Sequence, residues 1–93
     1  MSVAEKKEAQ QSNKVSVTIL NEEFTIRGNA EIGQMVRVAA YVDSKMRELT
    51  LKCPYLTPKQ VAVLSAVNIT NEFFRLKEDY EALIKVLDED KSI

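Results

Sequence analysis

The sequence predicts an α+β fold, ββαα in order: an N-terminal β-hairpin, then two helices, the second long and forming an intermolecular coiled coil. Three patterns carry this reading. Apolar and polar residues alternate over residues 14–27, apolar residues recur at spacings of three and four over residues 31–52, and an apolar heptad runs uninterrupted by glycine or proline from Pro58 to about Asp90. Ninety-three residues suffice for one small domain. The expected organisation is a mobile polar tail at residues 1–13, a ββα head at 14–57, and a long dimerisation helix at 58–93 that forms a single domain with the head.

Each element has a local cause. Val15, Val17 and Ile19 alternate with Ser16 and Thr18, and Phe24 and Ile26 alternate with Thr25 and Arg27, the period of half-buried strands. Asn21 and Glu22 interrupt the pattern, and Asn21 is suited to a hairpin turn because it tolerates left-handed backbone. A lone hairpin is marginal in water, so this one must pack on a helix or another sheet. Helix one is expected to start with Asn29 as N-cap and Glu31 at the positive end of the dipole. Ile32, Met35, Val36, Ala39, Val42, Met46 and Leu49 form its apolar stripe, extended by Cys53. Asp43 with Arg47, and Glu48 with Lys52, are spaced for ion pairs along the helix. Pro54 ends it.

Thr57-Pro58-Lys59-Gln60 is the start signal for helix two: Thr57 and Gln60 form a capping box and Pro58 takes the first helical position. From Val61 to Ile69 the helix is apolar almost all round, which predicts burial on several sides. Further on the pattern narrows to a seam. Ala66, Phe73, Tyr80 and Leu87 fall at heptad position a, and Ala62, Ile69, Leu76 and Leu83 at d. At about 1.5 Å per residue the second helix spans roughly 50 Å against roughly 30 Å for the first, so a helical hairpin leaves roughly 20 Å overhanging. Tyr80, Leu83 and Leu87 lie on that overhang, and each large apolar side chain left in water forgoes about 1.5–3 kcal/mol. The seam therefore requires another chain; a homodimer is the simplest answer, with a homotetramer as the alternative. Asn68, among apolar neighbours, is read either as a residue at the rim or bonded within the chain, or as a buried polar group fixing dimer register.

Composition narrows the function. Thirteen basic and fourteen acidic residues give a net charge of −1, against the basic excess of a general nucleic-acid or anionic-membrane binder. Histidine is absent and Cys53 is the one cysteine, so neither an intrachain disulfide nor a zinc site of ordinary ligand type can form. No glycine-rich phosphate loop and no catalytic constellation is present, so neither an enzyme nor a cofactor is expected. The second helix begins apolar rather than basic, unlike a DNA-recognition helix. No apolar stretch approaches a membrane span and no targeting segment is visible, so the expected place is the cytoplasm. On helix one, Tyr41 and Leu51 lie among Arg37, Lys45 and Lys52, a docking patch for an acidic partner. Packing of Tyr41 on a second protomer or on the hairpin is the alternative.

The hairpin Val17-Thr18-Ile19 to Phe24-Thr25-Ile26-Arg27-Gly28, the segment Val38-Ala39-Ala40-Tyr41-Val42-Asp43-Ser44-Lys45-Met46-Arg47-Glu48, and Val61-Ala62-Val63-Leu64-Ser65-Ala66-Val67-Asn68-Ile69 followed by Glu72-Phe73 resemble, in this order, the ZapA family of bacterial cell-division proteins. The match runs from about Lys14 to Asp88 and is similar to the short form of the family. The resemblance implies a ββαα head with a C-terminal coiled coil, dimers and in some members dimers of dimers, and no bound nucleotide. It also implies a partner, the tubulin-like GTPase FtsZ, whose protofilaments such proteins bind and cross-link or bundle, promoting Z-ring assembly and stability at midcell. A generic homo-oligomeric coiled-coil adaptor with a non-FtsZ partner is the competing reading.

Overall fold

The computed structural model describes residues 12–91. Two units are each compact in themselves, dividing after Tyr55.

In the first unit, strand β1 (Asn13–Ile19) pairs antiparallel with β2 (Glu22–Gly28). The register sets Val15 opposite Ile26 and Val17 opposite Phe24. Strand alternation therefore places the apolar side chains of both strands on one face, with Ser16, Thr18 and Thr25 on the other. Asn13 opens β1 and pairs with Gly28, so the strand begins inside the stretch expected as a tail; the rest of that stretch, residues 1–11, lies outside the described residues.

Only Leu20 and Asn21 separate the strands, and both have positive φ, 50° and 67°. This is the signature of the type I′ turn, whose twist matches that of the paired strands. Asn21 takes its half of the turn readily, but leucine at positive φ is strained. The strain is offset from another element. The Leu20 N–H donates to Asp43 Oδ1 at 2.7 Å, and Arg47 donates through Nη2 to Asn21 Oδ1 at 3.0 Å. Both anchoring residues lie on helix α1 (Ile32–Lys52), which packs against β1.

The core of this unit is small: Val17, Met35, Ala39 and Met46 are each no more than 8% exposed. Met35 lies over Gly28, its Sδ and Cε each 3.9 Å from where a β-carbon there would sit. Val42, Leu49 and Cys53 continue the predicted stripe half-buried, whereas Ile32 and Val36 at its start are 49% and 44% exposed.

Helix α1 starts later than Asn29 predicts. Glu31 holds the N-cap position with extended backbone, makes no side-chain cap, and accepts the Met35 N–H on its carbonyl at 3.0 Å. The segment before it is tied to the hairpin, where Asn13 Nδ2 donates to the Ala30 carbonyl at 2.9 Å. That tether holds residue 30 outside the helix. Asp43–Arg47 and Glu48–Lys52 form their ion pairs, at 2.9 and 3.3 Å.

The second unit is helix α2, Pro58–Lys91. Its capping box is complete: Gln60 N–H donates to Thr57 Oγ1 at 3.1 Å, and Thr57 N–H donates to Gln60 Oε1 at 3.0 Å. At about 1.5 Å per residue the helix is roughly 50 Å long. Val61 and Ser65, one turn apart, are buried. Burial on several sides is not met within the chain, since Val63, Leu64 and Val67 are 55%, 42% and 58% exposed. A single copy lacks the surface to cover them.

Candidate functional site

Two surfaces stand out, one on each unit. On α2 the heptad positions keep their phase because the helix is continuous from Pro58 to Lys91. Ile69 is half-buried, while Ala62 and Ala66 are exposed. Phe73, Leu76, Tyr80, Leu83 and Leu87 are 58%, 70%, 64%, 56% and 48% exposed. A stripe of large apolar side chains left this open along several turns is a surface awaiting a partner, not scattered surface residues.

The apolar surface is also wider than the a and d positions. Ile84 and Val86, at e and g, flank the seam and are 40% and 53% exposed, and Phe74, at b, is 54% exposed. Phe73 and Phe74 stack at a tilt, ring centroids 5.8 Å apart. Adjacent residues on a helix point about 100° apart, so this pair broadens the apolar arc beyond a narrow two-stranded seam. Sequence reading followed the heptad period and passed over these neighbours; their signal was simple apolarity off the period.

Asn68 is exposed and sits outside the seam, at heptad position c. A register-fixing polar group belongs in the a or d layer of a coil, and position c lies outside both.

On α1, Arg37, Tyr41, Lys45 and Lys52 fall within one quadrant of the helix, over roughly 22 Å of its length. Arg37 and Lys52 are exposed, Tyr41 is 48% exposed, and Lys45 is half-buried. Lys45 Nζ lies 5.5 Å from the Tyr41 ring centroid, a cation–π contact that holds the ammonium against the aromatic face. Lys52 is partly neutralised by Glu48. The helix thus brings the four residues together as one face, basic and aromatic, with Arg37 at one end.

The remaining polar features of the head are structural. Asp43 is held below its ordinary value, first by the hydrogen bond from the Leu20 N–H and then by Arg47. Its carboxylate is the common acceptor that fixes turn to helix. Tyr55, just after the helix, is pushed above its ordinary value by its hydrogen bond with the Cys53 side chain. Among the described residues no group of three or more acidic or cysteine side chains is placed to hold a metal ion, and no helix is long and apolar enough to cross a membrane.

A hairpin-and-helix head continued by a long helix with an open apolar seam defines a class of small assembly proteins. The comparisons place the chain within that class. The model of the family described as cell division protein ZapA matches residues 15–91. A Geobacillus sp. (strain WCH70) cell division protein ZapA is 39% identical over 82 residues, 88% of this chain and 94% of the relative. Among solved structures, a ZapA mutant dimer from Geobacillus stearothermophilus superposes with a TM-score of 0.66 at 40% identity, covering 83% of this chain and 90% of that one. A structure described as an unknown conserved bacterial protein from Pseudomonas aeruginosa PAO1 gives a TM-score of 0.61 at 28% identity, covering 87% of this chain and 99% of that one. The chain belongs to the ZapA family, a family of structural proteins of cell division.

Proposed function

We propose that this protein self-associates through the α2 seam, as a homodimer at least, and that the assembly binds FtsZ protofilaments in the cytoplasm at midcell and cross-links or bundles them. The observation that carries the reading is the exposed stripe from Phe73 to Leu87 on an unbroken helix. Its burial requires a second chain, and a symmetric assembly necessarily repeats every other surface. Two copies of one docking face are the physical minimum for a cross-linker, and multivalency raises avidity on a polymer far beyond single-site affinity.

The docking face is the quadrant of α1 carrying Arg37, Tyr41, Lys45 and Lys52. Arginine and tyrosine are enriched where partners dock, and a basic face attracts an acidic polymer. The seam residues Ala62, Ala66, Ile69, Phe73, Leu76, Tyr80, Leu83 and Leu87 serve assembly and not docking. The protein acts as a scaffold with no cofactor. Domain roles follow the same division, residues 14–57 as docking head and 58–93 as assembly helix.

Co-sedimentation with FtsZ polymers tests this. Wild-type protein is expected to pellet with the polymer. Arg37→Glu with Lys45→Glu is expected to reduce the bound fraction several-fold at moderate salt, with the sedimentation mass of the protein alone unchanged. Undiminished pelleting of the double variant would remove α1 as the docking face. Failure of the wild type to pellet would remove FtsZ as the partner.

A further inference from the structure

Among the described residues the sheet has two strands, so β2 is paired along one edge and free along the other. The turn fixes which backbone groups lie on the free edge. A two-residue turn closes on a hydrogen-bonded pair, here Ile19 with Glu22, and such pairs alternate along an antiparallel ladder. Val17–Phe24 and Val15–Ile26 are therefore the next bonded pairs. Glu23, Thr25 and Arg27 fall between them, with their N–H and C=O groups turned outward. All three residues are exposed, and Phe24, on the opposite face of the strand, is 42% exposed. Helix α1 packs on β1 and leaves β2 exposed from Glu22 to Thr25.

We infer that two copies join along this edge, β2 against β2, antiparallel and centred on Thr25, to make one four-stranded sheet. In that register the strands overlap over their full length, Glu22 to Gly28. Thr25 meets the partner's Thr25, and Glu23 meets the partner's Arg27 on either side of it. These are the residues whose outward N–H and C=O groups lack a strand to bond, and each exchanges them with the residue opposite. On the other face Phe24 meets the partner's Ile26, again twice, and covers part of its exposed ring.

Charge selects the register. Centring the pair on Glu23 or on Arg27 sets like charges face to face, and in-register parallel pairing does so at every charged position. Docking on the partner's β1 in the hairpin's own register would set Arg27 against the partner's Lys14. Within the hairpin that conflict already stands, since Arg27 lies opposite Lys14, while Glu23 lies opposite Thr18. Among the described residues no ion pair engages Glu23 or Arg27. A second β2 supplies the missing sign to both.

The geometry leaves room for the helices. A two-fold axis perpendicular to the sheet keeps both α1 helices on one face, each over its own β1. The two β1 strands are three strand spacings apart, roughly 14 Å, whereas helices come into contact at roughly 8–10 Å. A single strand edge is a weak contact. An assembly held by α2 carries one on each copy, so the edges act together with the avidity of several. Where the axis of the sheet and that of the seam do not coincide, the two contacts alternate from copy to copy and the assembly grows as an open array.

The test uses the full chain with Cys53→Ser and one thiol on the outer face of the hairpin. Thr25→Cys is expected to cross-link between copies through a bismaleimide shorter than two strand spacings, roughly 10 Å. Ser16 is exposed on the same face but lies three spacings from its counterpart, so Ser16→Cys is expected to cross-link little. Equal cross-linking at the two positions, or none at Thr25→Cys, would overturn the edge pairing. Glu23→Lys, added to Thr25→Cys, is expected to lower the cross-linked fraction several-fold at low salt, because it meets the partner's Arg27 twice. Adding Arg27→Glu as well is expected to restore it. Neither substitution breaks an ion pair within the described hairpin. An unchanged fraction in Glu23→Lys, or no recovery with the charges exchanged, would overturn the register.

Discussion

Replacing Leu76 and Leu83 with glutamate strikes the seam at two d positions on an exposed part of α2. The two leucines are 70% and 56% exposed in the single chain, so those fractions are available for burial by a second copy. At about 2 kcal/mol for a fully buried leucine, two sites on each of two chains amount to roughly 5 kcal/mol. That corresponds to between three and four decades in Kd. The cost of bringing glutamates into the same layers adds to this loss, so the figure is a lower bound. Sedimentation equilibrium over nanomolar to millimolar concentration should show the variant as monomer across roughly three decades above the wild-type Kd. Far-ultraviolet circular dichroism on the same samples separates dissociation from unfolding, and Leu76→Ala with Leu83→Ala provides a milder step in the same direction. An unchanged mass at micromolar concentration, with helix content intact, would refute the seam assignment.

Other outcomes follow from single contacts. Thr57→Ala removes the hydroxyl that accepts the Gln60 N–H at 3.1 Å, and should lower stability by about 1 kcal/mol, or about 4–8 °C in Tm, with Gln60→Ala largely non-additive to it in a thermal-melt cycle. Met46→Ala opens the core of the head at a site 8% exposed, and should cost about 2–4 kcal/mol in urea denaturation. Asp43, with its value held below 3.8 by the Leu20 N–H and Arg47, contributes stability that is present above its unfolded value and lost as pH falls through its lower folded one. The urea midpoint of the wild type should therefore fall below about pH 4. Asp43→Asn should be less stable at neutral pH and show a flatter decline in acid; parallel pH profiles for the two proteins would contradict the assignment.

Much of the architecture was legible because its causes are local or periodic. Alternation named both strands, the three-and-four spacing named α1, and the Thr57–Gln60 box placed the start of α2 at the residue where the structure has it. The two ion pairs on α1 connect residues four apart, so spacing alone predicts them. The four residues of the proposed docking face share a quadrant for the same reason. What escaped was set by residues distant in sequence. Asp43 was visible as a partner for Arg47, but not as the acceptor that supports a strained Leu20, a contact spanning 23 residues. Asn29 lost the cap because Asn13, in β1, tethers Ala30 outside the helix.

By itself the sequence determined the order and type of the elements among the described residues, the stop at Pro54 and the start at Pro58. Each of these depends on chain periodicity or on neighbours within one helical turn. Only the tertiary structure decided which apolar residues are satisfied within one copy. Met35, Ala39 and Met46 of the predicted stripe are buried while Ile32 and Val36 stay exposed, and Val61 is covered while Val63 and Val67 are not. Hydrophobic residues at the same period are equivalent to a sequence pattern. Burial distinguishes them, because it depends on the finite area that a small set of neighbouring elements can cover.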